Sequence, residues 1–291
     1  MPCGHAGRCA DTVTRLIALS LFAMLTLACR GSAPQGATTP TAVPVVNSVA
    51  AASPTATVTP AASPIVVGTA PATQPGPRVV RPFEIERGNL DRRELALTFD
   101  CGGHAQGTAE ILAALRDADV RVTFFMIGDW VRAYPDLARE IAARHEIANH
   151  SDRHPDYVDL TDEQIVADLD AADRTFREVL GRSARPMWRA PSGSRDGRVL
   201  AAAAQGGWPL HVFWTMGRDA QGNLVTGDSG DWRPFTPQQV ADNMLRAAAM
   251  GNGVITVSHC DSAQTRESLP GVLRELKQRG LRITTVSDVL R

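Results

Sequence analysis

The chain has 291 residues, 44% of them apolar, with 30 Lys and Arg against 31 Asp and Glu and a formal net charge of −1. That length allows one large domain or two small ones with a sizeable core. The balanced charge excludes the basic face of a nucleic-acid binder, so no nucleic-acid partner is expected.

Residues 1–29 read as a signal peptide. Arg8 and Arg15 precede a largely apolar run, Leu16 to Ala28, that is too short for a good membrane span. Leu27-Ala28-Cys29 resembles the end of a bacterial lipobox, with Thr26 where that pattern prefers Leu, so lipidation of Cys29, simple cleavage and an uncleaved anchor stay open. Residues 30–82 are Ala, Pro, Thr, Ser and Val with almost no charge, a composition that builds no core and stays extended as a tether. The expected product is an exported monomer, extracellular or in the cell envelope, that meets the membrane only through its signal or a lipid anchor. Cys3, Cys9 and Cys29 fall in the signal. Cys101 and Cys260 remain for a folded domain over 83–291, and an oxidising compartment would let them pair.

From Glu94 onward strand-like and helix-like segments alternate. A first strand, 95–100, delivers Asp100 and Cys101 into the Gly102-Gly103 turn. A helix over 109–118, a strand over 122–127, a helix over 135–144 and a strand over 146–149 lead to His150-Ser-Asp-Arg-His154. The next helix, 162–180, opens on Thr161-Asp-Glu-Gln164, which has capping-box spacing. A strand over 186–189 runs into Arg189-Ala-Pro-Ser-Gly193, followed by a helix over 195–204 and a strand over 212–215. The polar, glycine-rich stretch 217–227 reads as an inserted loop or short hairpin near the site. Asp228-Ser-Gly-Asp231-Trp232 comes after it. A helix over 237–249 places Pro237 at its first position, a strand over 254–257 stops just before His259, and a helix over 267–279 and a strand over 283–286 close the chain. Such alternation argues for a parallel sheet, doubly wound or closed into a barrel.

Asp100, His150, Arg189, Asp231 and His259 all end or follow predicted strands, where parallel barrels gather their active sites. His150 and His154 are four apart, so in a helical turn they project to one side and can share a metal ion; on spacing alone a surface pair is the commoner reading. Taken singly, Asp100 could be an Asx-turn residue, Arg189 a structural ion-pair partner, and Val257 and Trp232 ordinary core residues.

In this order the segments resemble the successive motifs of the polysaccharide deacetylases, the NodB-homology carbohydrate esterases, over roughly Glu84 to Arg291. The resemblance implies an α/β fold, a distorted (β/α) barrel of about seven parallel strands. It implies a metal-dependent hydrolase that removes N-acetyl groups from a cell-surface or extracellular glycan and releases acetate. Asp100 is then the catalytic base, Arg189 holds it ionised, and His259 is the general acid, kept charged by Asp231 with Asp228 as the alternative. His150 and His154 are implied ligands of a divalent metal, zinc with cobalt and nickel as alternatives. Val257, Trp232 and Pro191 are implied along the acetyl pocket and groove.

One position departs from the pattern, because the family usually has a second Asp, a metal ligand, where this chain has Cys101. A thiolate ligand and a disulfide to Cys260 are both open there. An O-acetyl esterase is an alternative, as is a carbohydrate-binding module that has lost its chemistry, although a matched base and acid argue against the second. His104, four residues beyond Asp100 in a glycine turn, could reach a nearby ion; His5, His145 and His211 receive no role.

Overall fold

The computed structural model describes residues 80–219 and 221–291; the expected signal peptide, 1–29, and most of the expected tether, 30–82, lie outside them. The elements are, in chain order, β1 (Phe83–Ile85), β2 (Glu94–Ala96), β3 (Thr98–Cys101), α1 (Thr108–Asp117), β4 (Thr123–Met126), α2 (Gly128–Ala133), α3 (Pro135–Arg144), β5 (Glu146–Asn149), α4 (Asp162–Leu180) and β6 (Met187–Trp188). There follow α5 (Gly197–Gln205), β7 (Leu210–Val212), β8 (Met216–Arg218), β9 (Leu224–Thr226), α6 (Pro237–Ala248), β10 (Val254–Ile255), β11 (Ser258–His259), α7 (Ala263–Gln278), β12 (Arg282–Thr284) and α8 (Val286–Val289).

Seven strands pair in the order β1-β7-β6-β5-β4-β3-β11, all parallel, and β10-β2-β12 form a smaller parallel sheet. The two sheets share chain paths, since β2 and β3 are one run broken at Leu97, and β10 and β11 one run broken at Thr256 and Val257. The ring closes without an eighth strand. Arg87 bridges Val254, the Thr215 N–H donates to the Ile255 carbonyl, and the Val257 N–H donates to the Gly227 carbonyl. This is the distorted barrel expected from the sequence, with one exchange: β1 supplies a sheet strand that was not foreseen, and the final expected strand lies in the smaller sheet as β12.

Strand alternation sorts the core. Leu95, Leu97, Phe99 and Cys101 face the helices within the large apolar cluster, while Ala96 belongs to a small cluster with Phe125, Ala148, Val212 and Ile255 inside the ring. Small inward residues leave room at the ring's open end for polar side chains. Helix bounds follow local chemistry. Thr161 and Gln164 form the expected capping box, and Gly181, at φ 70°, ends α4 in the left-handed region that favours glycine. Among the described residues no helix is long and apolar enough to cross a membrane.

Candidate active site

Asp100 points into the ring from the end of β3, where Arg189 meets it. Arg189 Nη1 donates to Asp100 Oδ1 at 2.7 Å and to Thr98 Oγ1 at 2.8 Å, and its Nε donates to the Val212 carbonyl at 3.0 Å. The guanidinium is wholly buried, lies 3.9 Å over the Phe125 ring and leaves Nη2 without a hydrogen-bond partner. Burial alone would raise the Asp100 pKa, but the charge and hydrogen bond of Arg189, with the charge of His259 beyond, hold it below the usual carboxylate value. Asp100 is therefore ionised and acceptor-only at neutral pH.

Across from it, His259 ends β11 at the position paired with Asp100. Its Nδ1 donates to Asp231 Oδ1 at 2.7 Å and its backbone N–H to Asp231 Oδ2 at 2.8 Å, while Thr265 Oγ1 donates to the same Oδ2 at 2.6 Å. Burial opposes the charged ring, yet the hydrogen bond and charge of Asp231, with Asp100 and Asp261 behind them, push the His259 pKa up to about 9. Asp228, the alternative partner, is engaged elsewhere: it accepts from the Gly230 N–H at 2.8 Å and from Trp232 Nε1 at 3.2 Å.

His150 is buried at the end of β5. Its Nδ1 donates to the Arg189 carbonyl at 3.0 Å, which leaves Nε2 as the free nitrogen, 3.5 Å from Asp100 Oδ2. Burial, only partly offset by Asp100, lowers its pKa to about 4, and burial likewise lowers that of His154, so both rings are neutral at neutral pH. The ring centroids are 5.1 Å apart. The helical turn expected from the sequence is not what brings them together; the chain between them is a turn in which Ser151 (φ 81°) and His154 (φ 60°) are left-handed and Ser151 Oγ accepts from the His154 N–H.

The peptide group joining Arg189 to Ala190 is gripped from both ends. Its carbonyl accepts a hydrogen bond from His150 Nδ1, and its N–H donates to His211 Nε2 at 3.2 Å. That acceptor role puts the His211 proton on Nδ1, which sits 2.9 Å from Glu84 Oε2 in a contact misaligned for a straight hydrogen bond. Arg195 completes the cluster through Nε and Nη2 on Glu84. The close approach of His211 Nδ1 lowers the Glu84 pKa more than burial raises it, Arg195 adds to the lowering, and the value falls to about 2. Sequence reasoning missed this support, in which a buried His211 meets a surface Glu84, since neither an isolated His211 nor a Glu84 far upstream carries a motif.

A cavity of about 380 Å³ opens over these groups, lined by Asp100, His150, His154, Val257, Trp232 and His259. Ser192, Gly193, Trp214 and Asp228 complete its walls. Trp232 is exposed at the mouth and Val257 buried at the wall. Pro191 is corrected: it is buried at the start of a short 3₁₀ turn and does not reach the cavity, whereas Ser192 and Gly193 of the same turn do. Gly193 is required there, because it has φ 66° and a Cβ would stand 2.7 Å from the Trp214 ring. His104 is turned away, exposed and 3.8 Å from Asp261.

The polysaccharide deacetylase family profile matches residues 87–210. A chitooligosaccharide deacetylase of Rhizobium leguminosarum bv. trifolii is 30% identical over 211 residues, 72% of this chain and 87% of its own length. The chain belongs to the polysaccharide deacetylase family. The protein YlxY of Bacillus subtilis is also 30% identical over 72% of the chain, a match that spans 61% of YlxY. Among solved structures, a CE4 family pseudoenzyme from Bacillus anthracis superposes with a TM-score of 0.63 at 26% identity, over 72% of this chain and 69% of that one.

Within this polysaccharide deacetylase the cysteine position resolves by strand geometry. Cys101 follows Asp100 and so faces the opposite side of β3, packed in the core between sheet and helices and fully buried. Pairing of Asp100 with His259 brings the next residues together, and Cys101 and Cys260 are joined in a disulfide with Cα atoms 5.0 Å apart and 159 positions between them in sequence. A bonded sulfur is no thiolate, so of the two alternatives open for Cys101 the structure has the cross-link to Cys260 and not the metal ligand. Catalytic divalent ions usually take three protein ligands and keep an open position. His150 and His154 offer two neutral imidazoles, but among the described residues no three His, Cys, Asp or Glu side chains form a metal-holding group. The donors present do not fit the three-ligand metal that the family pattern implies.

Proposed function

We propose that this polysaccharide deacetylase hydrolyses acetyl amides on a glycan, with Asp100 as base and His259 as acid. One observation carries the reading: a carboxylate kept ionised by Arg189 and an imidazole kept protonated by Asp231 line the same cavity. A water beside Asp100 passes a proton to the carboxylate as its oxygen attacks the acetyl carbonyl carbon. The C–N bond then breaks while His259 Nε2 gives its proton to the departing nitrogen, leaving acetate and a free amine. His150 Nε2, unprotonated, accepts a hydrogen bond and helps aim the water. Val257 offers an apolar wall to the acetyl methyl, and the exposed Trp232 indole a face to a sugar ring. An amide is favoured over an ester because only a poor leaving amine requires an acid held charged up to about pH 9. The Rhizobium relative is a chitooligosaccharide deacetylase, which supports the same substrate chemistry. The exported location expected from residues 1–29 is part of the proposal, tested by fractionation of cells carrying the full chain.

Acetate release from N-acetylated and O-acetylated sugars, with chelator and metal add-back, tests the reading. Release from chitopentaose supports it, and release from O-acetylated sugars alone replaces the amide with an ester. The missing third metal donor favours a second reading, a glycan-binding module without turnover, and the likeness to a CE4 pseudoenzyme supports it. Saturable glycan binding with no acetate release under any metal condition would establish that second reading.

A further inference from the structure

The inserted stretch between Thr215 and Asp228 folds as an antiparallel hairpin, β8 on β9, and its second strand walls a separate pocket of about 220 Å³. This pocket shares Asp228 with the catalytic cavity. Its other side carries two guanidiniums, Arg233 and, from α6, Arg246. Arginines around the rest of the barrel include several neutralised in place, as Arg195 is by Glu84, Arg198 by Asp162 and Arg282 by Glu94. Among the described residues neither Arg233 nor Arg246 has a carboxylate within ion-pair distance; Asp219 feels the Arg246 charge only from beyond it. Asp228 lines the same pocket but is not within ion-pair distance of either arginine, its oxygens accepting from the Gly230 N–H and from Trp232 Nε1 instead. Arg233 is held over the Trp232 ring at 4.6 Å and beside the Phe235 ring at 5.8 Å, so its charge is positioned in advance of any ligand.

We propose that the hairpin and these two arginines form a specificity subsite for a carboxylate borne on the glycan, one sugar away from the acetyl group being removed. Two guanidiniums recognise a carboxylate through charge-assisted hydrogen bonds. Leu224, Val225 and Phe235 add apolar walls, which suit a short alkyl arm carrying the carboxylate, such as a lactyl ether, better than a bare phosphate diester. This rests on the reading that the adjoining cavity takes a glycan.

The test uses two probes, neutral chitopentaose and a peptide-free tetrasaccharide of alternating N-acetylglucosamine and N-acetylmuramic acid, with binding followed by titration calorimetry and turnover by acetate release. Wild type is expected to favour the acidic probe, and added salt to shrink that advantage. Arg246→Gln should weaken the acidic probe roughly tenfold and Arg233→Gln/Arg246→Gln further, with chitopentaose changed less than about twofold by Arg246→Gln. Equal affinity for both probes in wild type, or equal weakening of both by Arg246→Gln, overturns the subsite. An arginine-dependent gain seen only with a peptide-bearing tetrasaccharide overturns the sugar-borne source of the carboxylate. Absence of acetate release from either probe defeats the hydrolysis reading separately, because the binding ratio still decides the subsite.

Discussion

Asp100 and His259 carry opposite charges on neighbouring strands, and each charge is maintained by a dedicated partner. Asp100→Asn keeps the shape and the Arg189 contact yet cannot accept a proton, so acetate release should fall by about 10² to 10⁴ with the fold intact by circular dichroism. Near-normal turnover in that variant would remove Asp100 from the chemistry. For His259 the activity should hold on the alkaline side until about pH 9. Asp231→Asn removes the carboxylate that sustains the imidazolium, and the alkaline limb of the rate profile should retreat to ~6.5 or below; an unmoved limb would mean that another group sets it. The same shift has a stability consequence. A folded pKa above the ordinary imidazole value stabilises the fold fully below ~6.5, and that contribution fades as pH rises through about 9. These residues were legible because each closes a recognisable segment at a strand end. Ser192, Gly193 and Trp214 were not, since reaching the cavity depends on a turn conformation rather than on residue type.

At the scale of elements, β3 and β11 are locked in register by hydrogen bonds and by the Cys101–Cys260 bond one residue beyond the base and acid. Closing so long a loop is worth about 5 kcal/mol in the chain-entropy model, with measured values often smaller. Cys101→Ala/Cys260→Ala should therefore lower the denaturant midpoint and broaden the spacing of base and acid, seen as lost turnover; an unchanged midpoint would make the bond energetically idle. A second element-scale expectation concerns β1, which brings Glu84 to His211 and so steadies the peptide that fixes the His150 tautomer. Glu84→Ala should lower kcat more than it alters KM, and should weaken the His150 Nδ1 proton signal in nitrogen-15 NMR. An unaltered signal would show that the Arg189 carbonyl suffices by itself. The strands and long helices were readable from periodicity and caps, whereas β1 and α2 span too few residues to show a period.

For the whole molecule, the barrel, its seam and both flanking apolar clusters lie within the described residues, so a chain reduced to 80–291 should keep the acetate-releasing activity and melting temperature of the full protein. A large fall in melting temperature on removing residues 1–79 would show that the upstream segment contributes to the fold. The seam also explains why the ring admits a hairpin. Thr215 and Gly227 complete it with a few backbone hydrogen bonds, and everything between them is free to extend beside the cavity without breaking a strand pair.

By itself the sequence determined the alternation of strands and helices, and hence a parallel sheet with candidate polar residues at its strand ends, because apolar period and capping chemistry are local properties; closure into a barrel was implied by the family resemblance alone. It also marked Asp100 and His259 as the candidate base and acid, through the motifs shared with the family. Only the tertiary structure decided between Asp231 and Asp228, settled Cys101 as a cross-link rather than a ligand, and placed Glu84 beside His211. Those outcomes depend on which face of a strand a residue takes and on the register between strands distant in sequence, and neither is encoded in spacing along the chain.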